Sequence, residues 1–178
     1  GLREKLEARG SIFQSTMDSE VIIHLMAHHL KHGLEEALIA SLARLKGAWC
    51  LVMMTRDKII AARDPGGFRP LSLGTLGGGY VIASETCAFD LVGARYVRDV
   101  EPGEIVIIDD TGLRSLKPFP AANHSHCIFE LVYFARPDSQ IFRQNVYLCR
   151  KRLGHELARE YKPDIDLVMP FPDSGVYA

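Results

Sequence analysis

The chain has 178 residues, 47% of them apolar, with 21 basic against 22 acidic side chains. That is enough for one domain, or one and part of a second, around a substantial core. The near-cancelled charge points to no nucleic-acid partner and no membrane surface, and no apolar run approaches the ~20 residues of a membrane span. The opening GLREKLEARG is a charged helical segment, not a signal peptide.

In chain order, residues 2–9 read as the tail of a helix. STMDSE carries helix-start signals, with Ser15 or Asp18 as N-cap and an acid just inside. Val21, Ile22, Leu25, Met26 and Leu30 fall at helical spacing over 20–31. Gly33 breaks that helix, and a second runs over 34–45 with Gly47 as its cap. Strands follow at 48–55, 58–63, 70–73 and 80–84, with Arg56 and Asp57 as a tight turn and GTLGGG as a flexible hairpin. ETCAFDLVG is a short helix. Further strands at 96–98, 104–108 and 113–116 are separated by the turns EPGE and DDTG.

KPFPAANHSH has two prolines and no periodicity, so it reads as a linker. CIFELVYFARPDS then reads as a buried strand that stops at a proline-locked corner. A helix over 145–161 and a strand over 165–169 complete the chain. Two helices before a run of antiparallel β, then strand–helix–strand, is the pattern of an α+β layer joined to an α/β unit. Gly1 opens in mid-helix and DIDLVMPFPDSGVYA stops before any helix follows, so the sequence reads as an internal piece of a longer chain.

Several residues invite chemistry. His24, His28 and His32 share a helical stripe, and spacing of four can bring two imidazoles onto one metal. No acid or cysteine completes that site in sequence, so a polar, partly exposed stripe is the plainer reading. The glycines of GGFRP and GTLGGG match no phosphate-binding fingerprint, and turn chemistry explains them. Asp18 is either an N-cap or a carboxylate gripping a substrate ammonium group. Cys50, Cys87, Cys127 and Cys149 form no CxxC pair and read as free thiols. Cys127 is either a packed core thiol or one ligand of a metal cluster whose other thiolates lie elsewhere. PFPDSG is either a plain turn or a loop whose amides, with Ser174 and Gly175, meet an anion.

TMDSEVIIHL, ARDPGGFRPLSLG, VIASETCAFDLVGARYVRDVEPGEIV, CIFELVYFARPDS and MPFPDSG, in this order from about Leu2 to Ala178, resemble the amidophosphoribosyltransferase family of purine synthesis. The resemblance implies an α+β fold. Residues 1–126 would form the C-terminal part of an αββα N-terminal-nucleophile sandwich, the class II glutamine amidotransferase domain. Residues 127–178 would begin an α/β type I phosphoribosyltransferase domain. The family's nucleophile is an N-terminal cysteine with its own α-amine as base. Gly1 is not that cysteine, and the Asn-Gly pair of the oxyanion hole would lie upstream, so the resemblance assigns no catalytic residue here.

What carries over is Asp18, matching the aspartate that binds the glutamine amine. Cys127 matches the first cysteine ligand of a [4Fe-4S] cluster in one branch of the family, and PFPDSG sides with that branch. The pyrophosphate loop and the Asp-Asp ribose-phosphate motif would lie past Ala178. Neither half-reaction is expected of this polypeptide alone. For the intact enzyme the resemblance implies Mg²⁺, glutamine and phosphoribosylpyrophosphate, a homo-oligomer, a cytoplasmic location, and neither nucleic acid nor membrane as partner. The alternatives are a catalytically inactive glutamine-binding module that uses Asp18, or a structural remnant. Pro137 fixes φ and biases Arg136 towards an extended form. The corner, where Arg136 and Asp138 can pair or hydrogen-bond across the junction, is then either a device holding two sites in register or only a bend.

Overall fold

The computed structural model describes residues 1–178, Ser174 by its backbone alone. The chain forms two units, Gly1–Gly47 and Ala48–Ala178.

The first unit holds α1 (Leu2–Glu7), α2 (Glu20–Ala27) and α3 (Leu34–Leu42). Leu6, Val21 and Leu25 bury against one another, flanked by Leu2, Phe13 and Leu45, as the helical spacing demands. Neither Ser15 nor Asp18 caps α2; the N-cap is Ser19, with no side-chain cap bond. Glu20 replaces that device by reaching backwards. Its carboxylate accepts from Gln14 N (2.7 Å), Ser15 N (2.9 Å) and Ser15 Oγ (2.6 Å). These bonds, the Gln14 amide first, hold its pKa down at about 2. The helix expected to reach residue 31 stops at Ala27, and Leu30–His32 is a separate 3-10 turn. The second helix ends on Ala43, while Gly47, at φ +94°, only turns the chain out of the unit.

The second unit is built on two antiparallel sheets. One contains β1 (Cys50–Met54), β2 (Ile59–Arg63), β6 (Ile105–Asp109) and β7 (Gly112–Leu116), in the order β1-β2-β6-β7. The other contains β3 (Ser72–Leu76), β4 (Gly79–Ala83) and β5 (Arg95–Asp99), in the order β4-β3-β5. Ala61, Leu71, Val100 and Val106, with Ile82, Ile108 and Leu113 beside them, draw one apolar cluster from both sheets. The expected hairpin forms between β3 and β4, and it is tight rather than flexible. β3 runs on to Leu76, and Gly77 and Gly78 take φ +57° and +85° in a two-residue turn that only glycine adopts cheaply. Gly74 keeps β3 smooth beneath Phe89, whose ring carbons lie 3.1 Å from where a Cβ would stand. Phe89 belongs to α4 (Cys87–Val92), which ends on a left-handed Gly93.

Glu104, 2% exposed, ties the sheets together. It accepts two bonds from Arg98 on β5 (2.7 and 2.8 Å), one from Ser115 Oγ on β7 (2.5 Å) and one from Glu101 N (2.6 Å). Burial works to raise its pKa, but these donors outweigh it and hold the carboxyl below the ordinary 4.5. The group is depressed in the folded state, so its contribution is complete above the unfolded value and fades as pH falls through the folded one. Glu104→Gln is therefore expected to lower the urea midpoint at pH 7 and to flatten its fall as pH drops through and below the ordinary carboxylate range. Parallel acid limbs for wild type and variant would remove Glu104 from the account.

Two expected strands are not strands. Glu130–Phe134 is a single wide helical turn closed by Ala135 N donating to Glu130 O at 3.1 Å. Its apolar side chains do not all bury: Phe129, Tyr133 and Phe134 are more than half exposed, and Leu131 and Glu130 face inward. Residues 161–173 contain no strand, and among the described residues no strand lies beside them to pair with. Between lie a hairpin not foreseen, β8 (Gln140–Ile141) with β9 (Gln144–Asn145), and then α5 (Val146–Glu160). Asn145 caps α5, its Oδ1 accepting from Leu148 N at 2.9 Å.

Candidate functional site

The loop between β2 and β3 is ordered by two buried charges. Arg63, 3% exposed, donates through Nε to Arg69 O (2.8 Å), through Nη1 to Val100 O (2.7 Å) and through Nη2 to Gly67 O (2.8 Å). Asp64, also 3% exposed, accepts from Gly66 N and Phe68 N. The glycines of GGFRP therefore serve the turn. Gly67 has φ +61°, and a Cβ there would stand 2.6 Å from Pro102 Cγ. The expected linker is laid along this loop, with Ser125 N donating to Gly66 O (2.8 Å) and Cys127 N to Phe68 O (3.0 Å).

The loop presents Arg69 to the helical turn. Arg69 Nη1 meets Glu130 Oε1 at 2.7 Å and Cys127 Sγ at 3.6 Å, and the guanidinium lies 4.5 Å from the Phe134 ring centroid. Burial raises the Glu130 pKa, Arg69 works against that, and Glu85 adds to it. Arg150, buried on α5, caps the turn from the other side, donating to Leu131 O (3.0 Å) and Ala135 O (2.7 Å).

The corner at residues 135–140 follows. Arg136 and Asp138 pair through two bonds of 2.8 and 3.1 Å, but the pair is local and about half exposed on both sides, where ion pairs contribute little. The pair forms as expected, but it spans only two residues of the corner itself. The tie comes from the β4–α4 turn instead. Glu85 Oε2 accepts from Arg136 N (2.8 Å) and Ser139 Oγ (2.9 Å), and Thr86 Oγ1 accepts from Gln140 N (2.8 Å). Sequence reading passed over Arg63, Arg69, Glu85 and Glu130. Their only local signal was charge set inside apolar or glycine-rich stretches.

Asp18 sits one residue ahead of the α2 N-cap, exposed, and among the described residues its carboxylate accepts no hydrogen bond. The two acids at this helix start are thus divided: Glu20 is spent on the preceding loop and Asp18 is free. Asp18 and Cys127 belong to different units. The histidine stripe is broken, since α2 ends before His28 and His32 lies in the 3-10 turn. Among the described residues no group of three or more His, Cys, Asp or Glu side chains is placed to hold a metal. Cys127, 9% exposed, therefore stands as a single thiol beside Arg69. Gly175 lies in a short 3-10 turn, and the Ser174 side chain falls outside the described residues. No described helix is long and apolar enough to cross a membrane.

Comparison with known proteins gives concordant matches. Residues 1–90 match the model of the glutamine amidotransferase domain. Amidophosphoribosyltransferase of Bacillus subtilis (strain 168) is 48% identical over 177 residues, covering 99% of this chain and 37% of the relative. The enzyme of the same name from Rhizobium etli is 43% identical over 182 residues, with the same coverage. Among solved structures, the glutamine phosphoribosylpyrophosphate amidotransferase from B. subtilis, complexed with ADP and GMP, aligns with a TM-score of 0.95 at 47% identity. That alignment covers 99% of this chain and 39% of the other. The chain thus spans about 37% of the length of the curated relatives it matches.

Proposed function

This chain belongs to the glutamine amidotransferase domain family and is homologous to the amidophosphoribosyltransferases, and on that premise we propose that it works within an enzyme of two coupled reactions. Water cleaves the side-chain amide of glutamine to give glutamate and ammonia. Ammonia then forms a C–N bond at C1 of phosphoribosylpyrophosphate and displaces pyrophosphate, leaving phosphoribosylamine. The observation that carries this reading is the agreement of 99% of the chain with the B. subtilis amidotransferase at a TM-score of 0.95.

Within the reaction, Asp18 receives the glutamine ammonium group. Its free, exposed carboxylate at a helix start supports that role. Residues 1–126 belong to an αββα sandwich, a reading that the two antiparallel sheets of the second unit support. Residues 127–178 enter a phosphoribosyltransferase domain, and exposed apolar side chains such as Leu148, Leu157 and Met169 are what an entering segment presents. The corner at 135–140 keeps the two sites in register. Copies of the enzyme associate as a homo-oligomer.

Mg²⁺ accompanies the pyrophosphate substrate, and none of these residues is assigned to it. A [4Fe-4S] cluster takes four thiolates. The donors gathered here do not fit one by themselves, since Cys127 offers a single sulfur, so no step is routed through a cluster and Cys127 is at most one of its ligands.

The protein expressed from its intact gene, given glutamine, phosphoribosylpyrophosphate and Mg²⁺, is expected to release glutamate and pyrophosphate in equal amounts. Ammonia should replace glutamine in pyrophosphate release. No pyrophosphate from either nitrogen source would overturn the assignment.

A further inference from the structure

We propose that Glu85 is a positioning residue that registers the corner at 135–140 on the amidotransferase part of the fold, so that ammonia made on one side is used on the other. This rests on the function proposed above.

Glu85 lies inside the residues matched by the amidotransferase model, 1–90, and the corner lies outside them. Its Oε2 nevertheless gathers Arg136 N and Ser139 Oγ, 51 and 54 residues further on, with Cys87 Sγ at 3.7 Å beside them. Thr86 adds the bond from Gln140 N, again across 54 residues. Two consecutive side chains of the β4–α4 turn thus hold the start, the end and the exit of the corner. A carboxylate suits the task because it accepts several donors at once without offering one, and bonds to an ionised acceptor are the stronger kind.

The corner is stiff enough to be aimed by one group. Pro137 fixes its φ and offers no N–H, so the chain cannot slip to a neighbouring donor there. Ser139 N donates to Arg136 O, Tyr147 N to Pro137 O and Val146 N to Ser139 O, which locks the corner onto the start of α5. Glu85 therefore sets where this rigid piece sits, while the Arg136–Asp138 pair touches only itself.

The test compares glutamine-dependent with ammonia-dependent pyrophosphate release in the protein from its intact gene, for wild type, Glu85→Gln and Ser139→Ala. Coupling elements of this kind change the linked step by roughly 3- to 30-fold. Glu85→Gln is expected to lower the glutamine-dependent rate by that factor, with ammonia-dependent release within about twofold of wild type and Tm nearly unchanged. Ser139→Ala, which removes one donor from the same oxygen, should act in the same direction and less. It carries the test alone if Glu85→Gln does not fold. Equal losses with both nitrogen sources, or no loss with either, overturn the positioning role. A wild-type protein that releases no pyrophosphate at all overturns the proposed function, and this role with it.

Discussion

Arg63→Met is expected to destabilise the second unit by roughly 3–5 kcal/mol, seen as a large fall in denaturant midpoint. The reason is the three backbone carbonyls, of Arg69, Val100 and Gly67, that one buried guanidinium satisfies. Methionine fills most of the volume and leaves all three acceptors without their donor. A buried polar group stripped of its partner costs about 1–3 kcal/mol. Relaxation of the loop and entry of water recover part of the sum, which places the total below three full penalties. Against a typical total stability of about 5–15 kcal/mol, that leaves little margin. Arg63→Lys should recover only part of the loss, because a compact ammonium cannot spread its donors over the same fork. Two consequences separate this account from simple loss of packing. The loop at 64–70 should become open to proteolysis before the sheets do, and Arg69 should lose its register against Glu130. A midpoint shift of less than about 1 kcal/mol for Arg63→Met would show that the carbonyls find other donors, and the cage would then not organise the loop.

Much of the scaffold around this loop was legible in the sequence, and the exceptions share a cause. Strands β1, β2, β6 and β7 were readable because short apolar runs alternate with Gly- and Asp-bearing turns whose chemistry is local. Residues 128–134 were misread because a run apolar on every side carries no period, and period is what separates strand from helix. The β8–β9 hairpin was missed because its turn residues, Phe142 and Arg143, hold φ of +50° and +63° without the glycine or asparagine that announces such a turn. Residues 165–169 have strand composition, but a strand exists only through its neighbour. The polar groups divide in the same way. Asp18 stood out by its place at a helix start. Glu85 and Arg63 act on atoms 54 and 37 residues away, which no window along the chain can show.

Asp18→Asn is expected to raise the KM for glutamine on the order of 10- to 100-fold while leaving ammonia-dependent synthesis untouched. The substitution keeps size and shape and removes only the charge, so the loss is that of a charge-assisted contact with the substrate ammonium. The local fold should tolerate it: Asp18 does not cap α2, and the preceding loop is held by Glu20 through Gln14 and Ser15. Glu20→Gln is the matched control. It weakens the loop itself, so its effect should appear in Tm as well as in KM, and should vary with pH only towards the acid side, where Glu20 protonates at about 2. The sign of the Asp18 effect follows from the chemistry of the ligand. An amine-free analogue such as glutaramate should bind wild type and Asp18→Asn equally, because neither has an ammonium to meet. Should Asp18→Asn leave the KM for glutamine where it was, the exposed carboxylate is not the amine's partner, and the substrate must be gripped from residues other than those at the start of α2.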